Sequence, residues 1–74
     1  MIASVGETTF DREAISITVP GASGEFTVLA HHEPIVSMLK KGVIMVKETG
    51  GEQKKIEIES GVIEVSNNRV VVLL

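Results

Sequence analysis

The chain has no cysteine, no tryptophan and no tyrosine, and its aromatic content is two phenylalanines among 74 residues. Without cysteine neither a disulfide nor a thiolate zinc site can staple the fold. Without aromatics there is no platform on which the bases of a single-stranded nucleic acid could stack. Positive charge is also in short supply: seven Lys and Arg stand against ten Asp and Glu, for a formal net charge of −3. A nucleic-acid partner needs a clustered cationic face, so none is expected. No apolar run approaches the ~20 residues that span a bilayer, and no signal-peptide pattern opens the chain. Direct bilayer insertion is therefore not expected, and a soluble protein of a reducing compartment is.

Aliphatic residues fill the gap. Hydrophobic residues make up 43% of the chain, too many for a disordered segment of this charge. Val, Ile, Leu and Met must then build the core. A chain of this length buries only about 60% of the surface it exposes when unfolded, which leaves stability marginal and makes burial against a partner attractive. The expectation is a single domain over residues 1–74.

Turn signals recur about every 8–12 residues, the spacing of an all-β sandwich or barrel. They fall at Gly6-Glu7, Asp11-Arg12, Pro20-Gly21-Ala22-Ser23-Gly24, Lys40-Lys41-Gly42, Gly50-Gly51, Ser60-Gly61 and Asn67-Asn68. Gly50-Gly51 and Asn67-Asn68 suit two-residue hairpins with primed turns. Between the turns, apolar and polar residues alternate: Ile15, Ile17 and Val19 against Ser16 and Thr18, and Ile56 and Ile58 against Lys55, Glu57 and Glu59. Period-two patterning with β-branched residues predicts strands near 8–10, 14–20, 24–29, 43–48, 53–59, 62–66 and 69–74, with 1–4 as a short edge strand. Over 33–40 the residues fit two templates. Ile35, Met38 and Leu39 share a helical face, whereas a strand would put Ile35, Ser37 and Leu39 on one side and Val36 and Met38 on the other.

Two strands carry apolar residues on both faces. Val43 and Met45 oppose Ile44 and Val46, and Val70 and Val72 oppose Val71 and Leu73. A small sandwich has one interior, so part of this surface should be left over for a partner.

Sites of chemistry are scarce. The two histidines, His31 and His32, are adjacent, and neighbours on an extended chain point to opposite sides, so they do not clamp one ion. No serine sits in a strand-to-helix elbow, which leaves no nucleophilic triad. Pro20-Gly21-Ala22-Ser23-Gly24 lacks the Lys-Ser or Lys-Thr and the helix of a phosphate loop, and reads as a tight connection between strands. No catalytic residue, metal site or cofactor is expected, and the chain is not expected to be an enzyme. A small soluble ligand-binding β-sandwich is the alternative reading, but such a site needs aromatic or convergent polar groups, and Phe10 and Phe26 are the whole aromatic supply.

One order of residues goes beyond generic patterning. It runs Val19-Pro20-Gly21, Gly24-Glu25-Phe26, Val28-Leu29, His32, Pro34-Ile35, Leu39-Lys40 and Gly42. This stretch resembles the signature of the ε subunit of F-type (H+-transporting) ATP synthases, in its N-terminal β-sandwich domain. Gly61-Val62-Ile63-Glu64-Val65 and Val70-Val71-Val72-Leu73 resemble that family's closing strands. The departures fall in turns: Thr27 stands for a usual Gly, Ala30-His31 for a proline-glycine pair, and Lys41 for a proline.

The resemblance implies a flattened, antiparallel β-sandwich or barrel of about ten short strands, with 33–40 mainly extended. It implies a non-catalytic rotor subunit of the central stalk, coupling proton (or sodium) flow through the membrane c-ring to ATP synthesis. The implied partners are the γ subunit and the c-subunit ring, at the cytoplasmic face of the inner (or thylakoid-type) membrane, within a peripheral membrane complex. Carried over residue by residue, the c-ring contact falls on Glu25 and His32 with Thr27 and His31 beside them, and the γ contact on Ser4, Val36 and Ser37. Val36 also belongs to the apolar surplus. Family members usually continue into a helical hairpin that binds ATP in some bacteria; the 74 residues hold no counterpart, so the resemblance implies the coupling role for this stretch.

Overall fold

The computed structural model describes residues 1–6, 10–30 and 33–74, with the side chains of 10–12 outside the description. Its elements are eight strands and no helix among the described residues: β1 (Ile2–Val5), β2 (Phe10–Gly21), β3 (Gly24–Leu29), β4 (Ile35–Leu39), β5 (Gly42–Glu48), β6 (Gln53–Ile58), β7 (Gly61–Ser66) and β8 (Arg69–Leu73). The fold class read from the sequence is therefore the observed one, all-β, with eight strands where about ten were expected. The segment 33–40, open between helix and strand on periodicity alone, holds β4.

The 12-residue β2 organises the molecule. Residues 10–13 pair with β1, residues 14–18 with β5, and residues 16–21 with β3. The strand thus belongs to two layers in succession. The first layer runs β2–β1–β8–β7–β4, and the second β3–β2–β5–β6. The register slips by one residue between Ala14 and Ser16, which leaves Ile15 as a bulge at the crossing point. A bulge of this kind bends a strand and raises its twist, so one strand can turn the corner between layers. The layers meet again where Gly21 pairs with Leu39. There Ala22 N–H donates to the Met38 carbonyl at 2.9 Å and Lys40 N–H to the Pro20 carbonyl at 2.9 Å.

Both layers turn aliphatic side chains inward. Ala3, Val5, Val70, Val72, Ile63, Val65 and Leu39 come from the first, and Ile17, Val19, Val28, Ile44, Val46 and Ile58 from the second. No polar or charged residue is buried among the described ones. Phe26, Ile35 and Ile56 pack against this core and are only partly buried themselves.

Four local expectations need correction. Thr27 does not fall in a turn: it lies within β3, paired with Thr18 of β2. Asp11-Arg12 is not a turn: both residues lie in β2, opposite Ser4 and Ala3 of β1. The pair contains no glycine, so nothing in it demands positive φ, and ladder bonds on that edge keep it extended. The first strand is not an edge, because β1 lies between β2 and β8 and pairs with β8 in parallel. The Gly50-Gly51 connection is not a two-residue hairpin. Gly51 N–H donates to the Glu48 carbonyl at 2.9 Å and Glu48 N–H to the Glu52 carbonyl at 2.7 Å, with Gly51 alone at positive φ, 91°. This is a three-residue loop closed by a left-handed glycine. Asn67-Asn68 does form the expected primed turn, with φ of 40° and 61° between the paired Ser66 and Arg69. The strand expected at 8–10 falls mostly outside the described residues.

Candidate binding faces

With the inner faces committed to the core, the broad exposed surfaces of the sandwich are the outer ones. Register places their residues in rows. On the first layer, Met38, Val62 and Leu73 stand opposite one another across β4, β7 and β8. The neighbouring row reads Val36, Glu64 and Val71, and continues to Ser4 through the parallel pair of β1 with β8. Beyond it, Ser66 opposes Arg69, and Arg69 faces Ile2. Val36 is 70% exposed, Met38 69% and Leu73 56%, while Val62 and Val71 are half-buried between them. A contiguous apolar surface therefore crosses three strands, with one carboxylate, Glu64, set within it.

The outer face of the second layer differs in kind. One row reads Thr27, Thr18, Met45 and Lys55 across β3, β2, β5 and β6, and the Thr18 and Thr27 hydroxyls are 2.9 Å apart in a hydrogen bond. Leu29, Ser16, Lys47 and Gln53 form another row, in which Leu29 is exposed, and Val43 opposes Glu57. Lys41 and Glu59 make an exposed ion pair at 4.0 Å. An open concavity lined by Lys41, Gly42, Val43, Glu57, Ile58 and Glu59 lies at this end of β5 and β6. It holds no aromatic side chain and no group of converging polar atoms beyond that surface pair, so it lacks what a small-molecule site requires. Among the described residues no three His, Cys, Asp or Glu side chains gather in a way that could hold a metal ion.

The residues singled out by resemblance divide between these surfaces. Glu25 and Thr27 are exposed on the outer side of β3, two positions apart and on one face of the strand. Ser4 and Val36 share a row of the first layer, with Glu64 and Val71 between them. Ser37 does not join them. It pairs with the buried Ile63 and points to the inner side at the edge of the layer, its Oγ donating to the Met38 carbonyl at 3.4 Å. Adjacent residues of a strand cannot share a face. His31 and His32 lie outside the described residues.

Met38, Val62 and Glu64 were not expected as contact residues, whereas Leu73 belongs to the two-faced strand 69–74, which signalled that some apolar surface would remain. The missing signal was readable in part. Val62, Glu64 and Ser66 are the out-of-phase partners of Ile63 and Val65, so β7 displays its alternation plainly. What the sequence does not display is which strand lies beside it.

This arrangement defines a small aliphatic β-sandwich with one unsatisfied apolar outer face. The family model described as ATP synthase, Delta/Epsilon chain, beta-sandwich domain matches residues 1–74, and the chain belongs to that family. It is similar to the ATP synthase epsilon chain of Rhodopseudomonas palustris strain BisA53, 39% identical over 72 residues that cover 97% of this chain and 53% of that protein. It is also similar to the ATP synthase epsilon chain of Wolbachia pipientis wMel, 42% identical over 59 residues covering 80% and 52%. Among solved structures it superposes on a chain of the Euglena gracilis mitochondrial ATP synthase, determined as the OSCP/F1/c-ring assembly, with a TM-score of 0.89, 26% identity and coverage of 99% of this chain and 49% of that one. The chain spans about half the length of these relatives.

Proposed function

We propose that the chain acts as the β-sandwich part of a non-catalytic central-stalk subunit of an F-type ATP synthase, coupling ion flow through the c-ring to ATP synthesis. In this reading it docks on the γ subunit and rests on the c-subunit ring, within a peripheral complex at the cytoplasmic face of the membrane. Its work is mechanical: a stiff sandwich clipped to the shaft carries torque between ring and catalytic head. Family membership and the assemblies in which its relatives are found support the reading. The observation that carries it is the apolar outer face of β4, β7 and β8, because an isolated small domain gains nothing from leaving Val36, Met38 and Leu73 in water. Each aliphatic side chain fully covered by a partner is worth roughly 1.5–3 kcal/mol.

The γ subunit is assigned to this face, with Ser4 and Val36 inside the contact and Ser37 at its margin. The ring is assigned to a contact that includes Glu25 and Thr27, exposed on β3, with His31 and His32 carried over from the family resemblance. A carboxylate and imidazoles there suit the polar and charged loops of a membrane ring. Titration calorimetry of the chain against purified γ subunit tests the reading. Submicromolar association with a negative heat-capacity change is expected, the mark of apolar surface leaving water. Absence of binding to γ would remove the rotor reading while leaving the family and the fold in place.

A further inference from the structure

Glu64 occupies a costly place for a carboxylate on a surface that is to be covered. Val36 on β4 and Val71 on β8 stand directly opposite it, and the row of Met38, Val62 and Leu73 borders it on one side. Among the described residues the Glu64 carboxylate has no ion-pair or hydrogen-bond partner. Arg69, on the same face one pair further along, forms no ion pair with it. In the free chain Glu64 is exposed, and water satisfies it. When an apolar partner covers the valines beside it, that water is expelled, and a carboxylate left unpaired in such a setting opposes binding strongly.

We infer that the surface docking on β4, β7 and β8 presents a basic side chain, Arg by preference, that pairs with Glu64 at the centre of the apolar contact. Arginine suits the position because its planar fork bonds a carboxylate with two parallel N–H donors and is the less strongly hydrated of the two cations. A second copy of this chain is the poorer occupant. A twofold axis through the middle of the apolar surface would bring two Glu64 carboxylates together, and like charges facing each other at an interface select against that partner. The carboxylate therefore does two things at once. It keeps an apolar sheet face from self-association, and it fixes the register of the one partner able to neutralise it.

The inference rests on the rotor reading for the identity of the probe, the purified γ subunit. Calorimetric titrations would compare the unaltered chain, Glu64→Gln, and a Val36→Ser/Met38→Ser double variant, each at low and high salt. All these side chains are exposed, so thermal melts should agree closely and exclude misfolding. The expected result is a loss of roughly 30-fold or more for Glu64→Gln, in the range for truncating one member of a buried charge pair. That loss should persist at high salt, because a buried pair is screened far less than a surface charge. Glu64→Gln binding as tightly as the unaltered chain, or tighter, while the double variant binds weakly would overturn the inference and leave the docking face intact. Failure of the unaltered chain to bind γ would overturn both the rotor reading and this one.

Discussion

The two outer faces of this sandwich rest on equivalent interiors and yet differ in character, one continuously apolar around a single carboxylate and the other mixed. Beneath the face of β4, β7 and β8 lie Ile63, Val65, Val70 and Val72; beneath that of β2, β5 and β6 lie Ile17, Val19, Ile44 and Val46. The exteriors read Val36, Met38, Val62, Leu73 around Glu64 in the first case, and Thr18, Thr27, Lys47, Lys55, Glu57 with Leu29, Val43 and Met45 among them in the second. Folding requires only that each layer have one apolar side. The second layer meets that requirement with a mixed exterior, where Leu29, Val43 and Met45 stand among hydroxyl and charged side chains, and it serves as the baseline. The apolar exterior of the first layer is the larger and more continuous surplus, one that folding does not explain and that suits the docking surface proposed above.

The contrast depends on the layers being held in fixed relation, and the seam at Gly21 is where that can be broken most severely. A Cβ at this position would lie 2.6 Å from the Gly24 carbonyl oxygen and 2.8 Å from the Phe26 ring. The first neighbour is backbone and cannot swing away. Gly21→Ala must therefore shift the β2–β3 hairpin and, with it, the Gly21–Leu39 pair that joins the layers. The expected cost is about 3 kcal/mol, at the upper end for overpacking. In a domain of this size that lowers the melting temperature by roughly 15 °C or more. A variant melting within a few degrees of the parent would show that the seam yields without strain and that the layers are less firmly coupled than their hydrogen bonds suggest.

A smaller effect is expected in the hairpin that sets the apolar face. Asn67 and Asn68 both hold positive φ between Ser66 and Arg69, and this primed turn fixes the register of β7 against β8. A slip of one residue would turn Val71 and Leu73 inward and Val70 and Val72 outward. Asn tolerates the left-handed region through local side-chain hydrogen bonds, whereas Ala meets a penalty of about 1–2 kcal/mol there. Asn68→Ala should lose about 1 kcal/mol in chemical denaturation, and Asn68→Gly should stay within a few tenths, since glycine takes the same φ freely. Equal stability of Ala and Gly at this position would mean the turn relaxes to another type and that something else holds the register.

How much of this was legible in the sequence differs between the same two regions. Strands β2, β3, β6 and β7 follow from alternation, because half-burial imposes period two on Ile17 and Val19 or Ile56 and Ile58 regardless of which strand lies beside them, while β5 and β8 follow from β-branched runs between turn signals. The Asn67-Asn68 hairpin was legible for a local reason, as positive φ restricts the residue types it admits. What resisted was non-local. That 10–21 is one continuous strand depends on β1 arriving alongside Asp11 and Arg12, and that 33–40 holds a strand depends on β7 pairing with it. Resemblance supplied Ser4 and Val36 and the register placed them in one row, but neither motif nor periodicity could place Glu64 between two valines of other strands. Neighbourhood in a sheet is set by topology, and topology is not written in any single strand.

The finest test of the contrast lies on the polar face. Thr18 and Thr27 are directly opposed on β2 and β3, with their hydroxyls 2.9 Å apart on the exposed side. A cross-strand hydroxyl pair of this kind contributes roughly 0.2–1 kcal/mol, since water competes for both groups. Replacing both by valine keeps the shape and the β-branching while removing the bond. A double-mutant cycle of Thr18→Val and Thr27→Val should give a coupling energy of about 0.5 kcal/mol, and the double variant should be nearly as stable as the parent because neither hydroxyl is left facing an unmatched partner. Its outer face would then carry two valines beside Met45, a modest copy of the apolar surface opposite. If apolar exterior alone made a docking face, this variant would begin to associate with itself, and analytical ultracentrifugation would show it. A monomeric double variant with the expected small coupling would mean that area is not enough, and that the docking face of β4, β7 and β8 owes its selectivity to the carboxylate set among its valines.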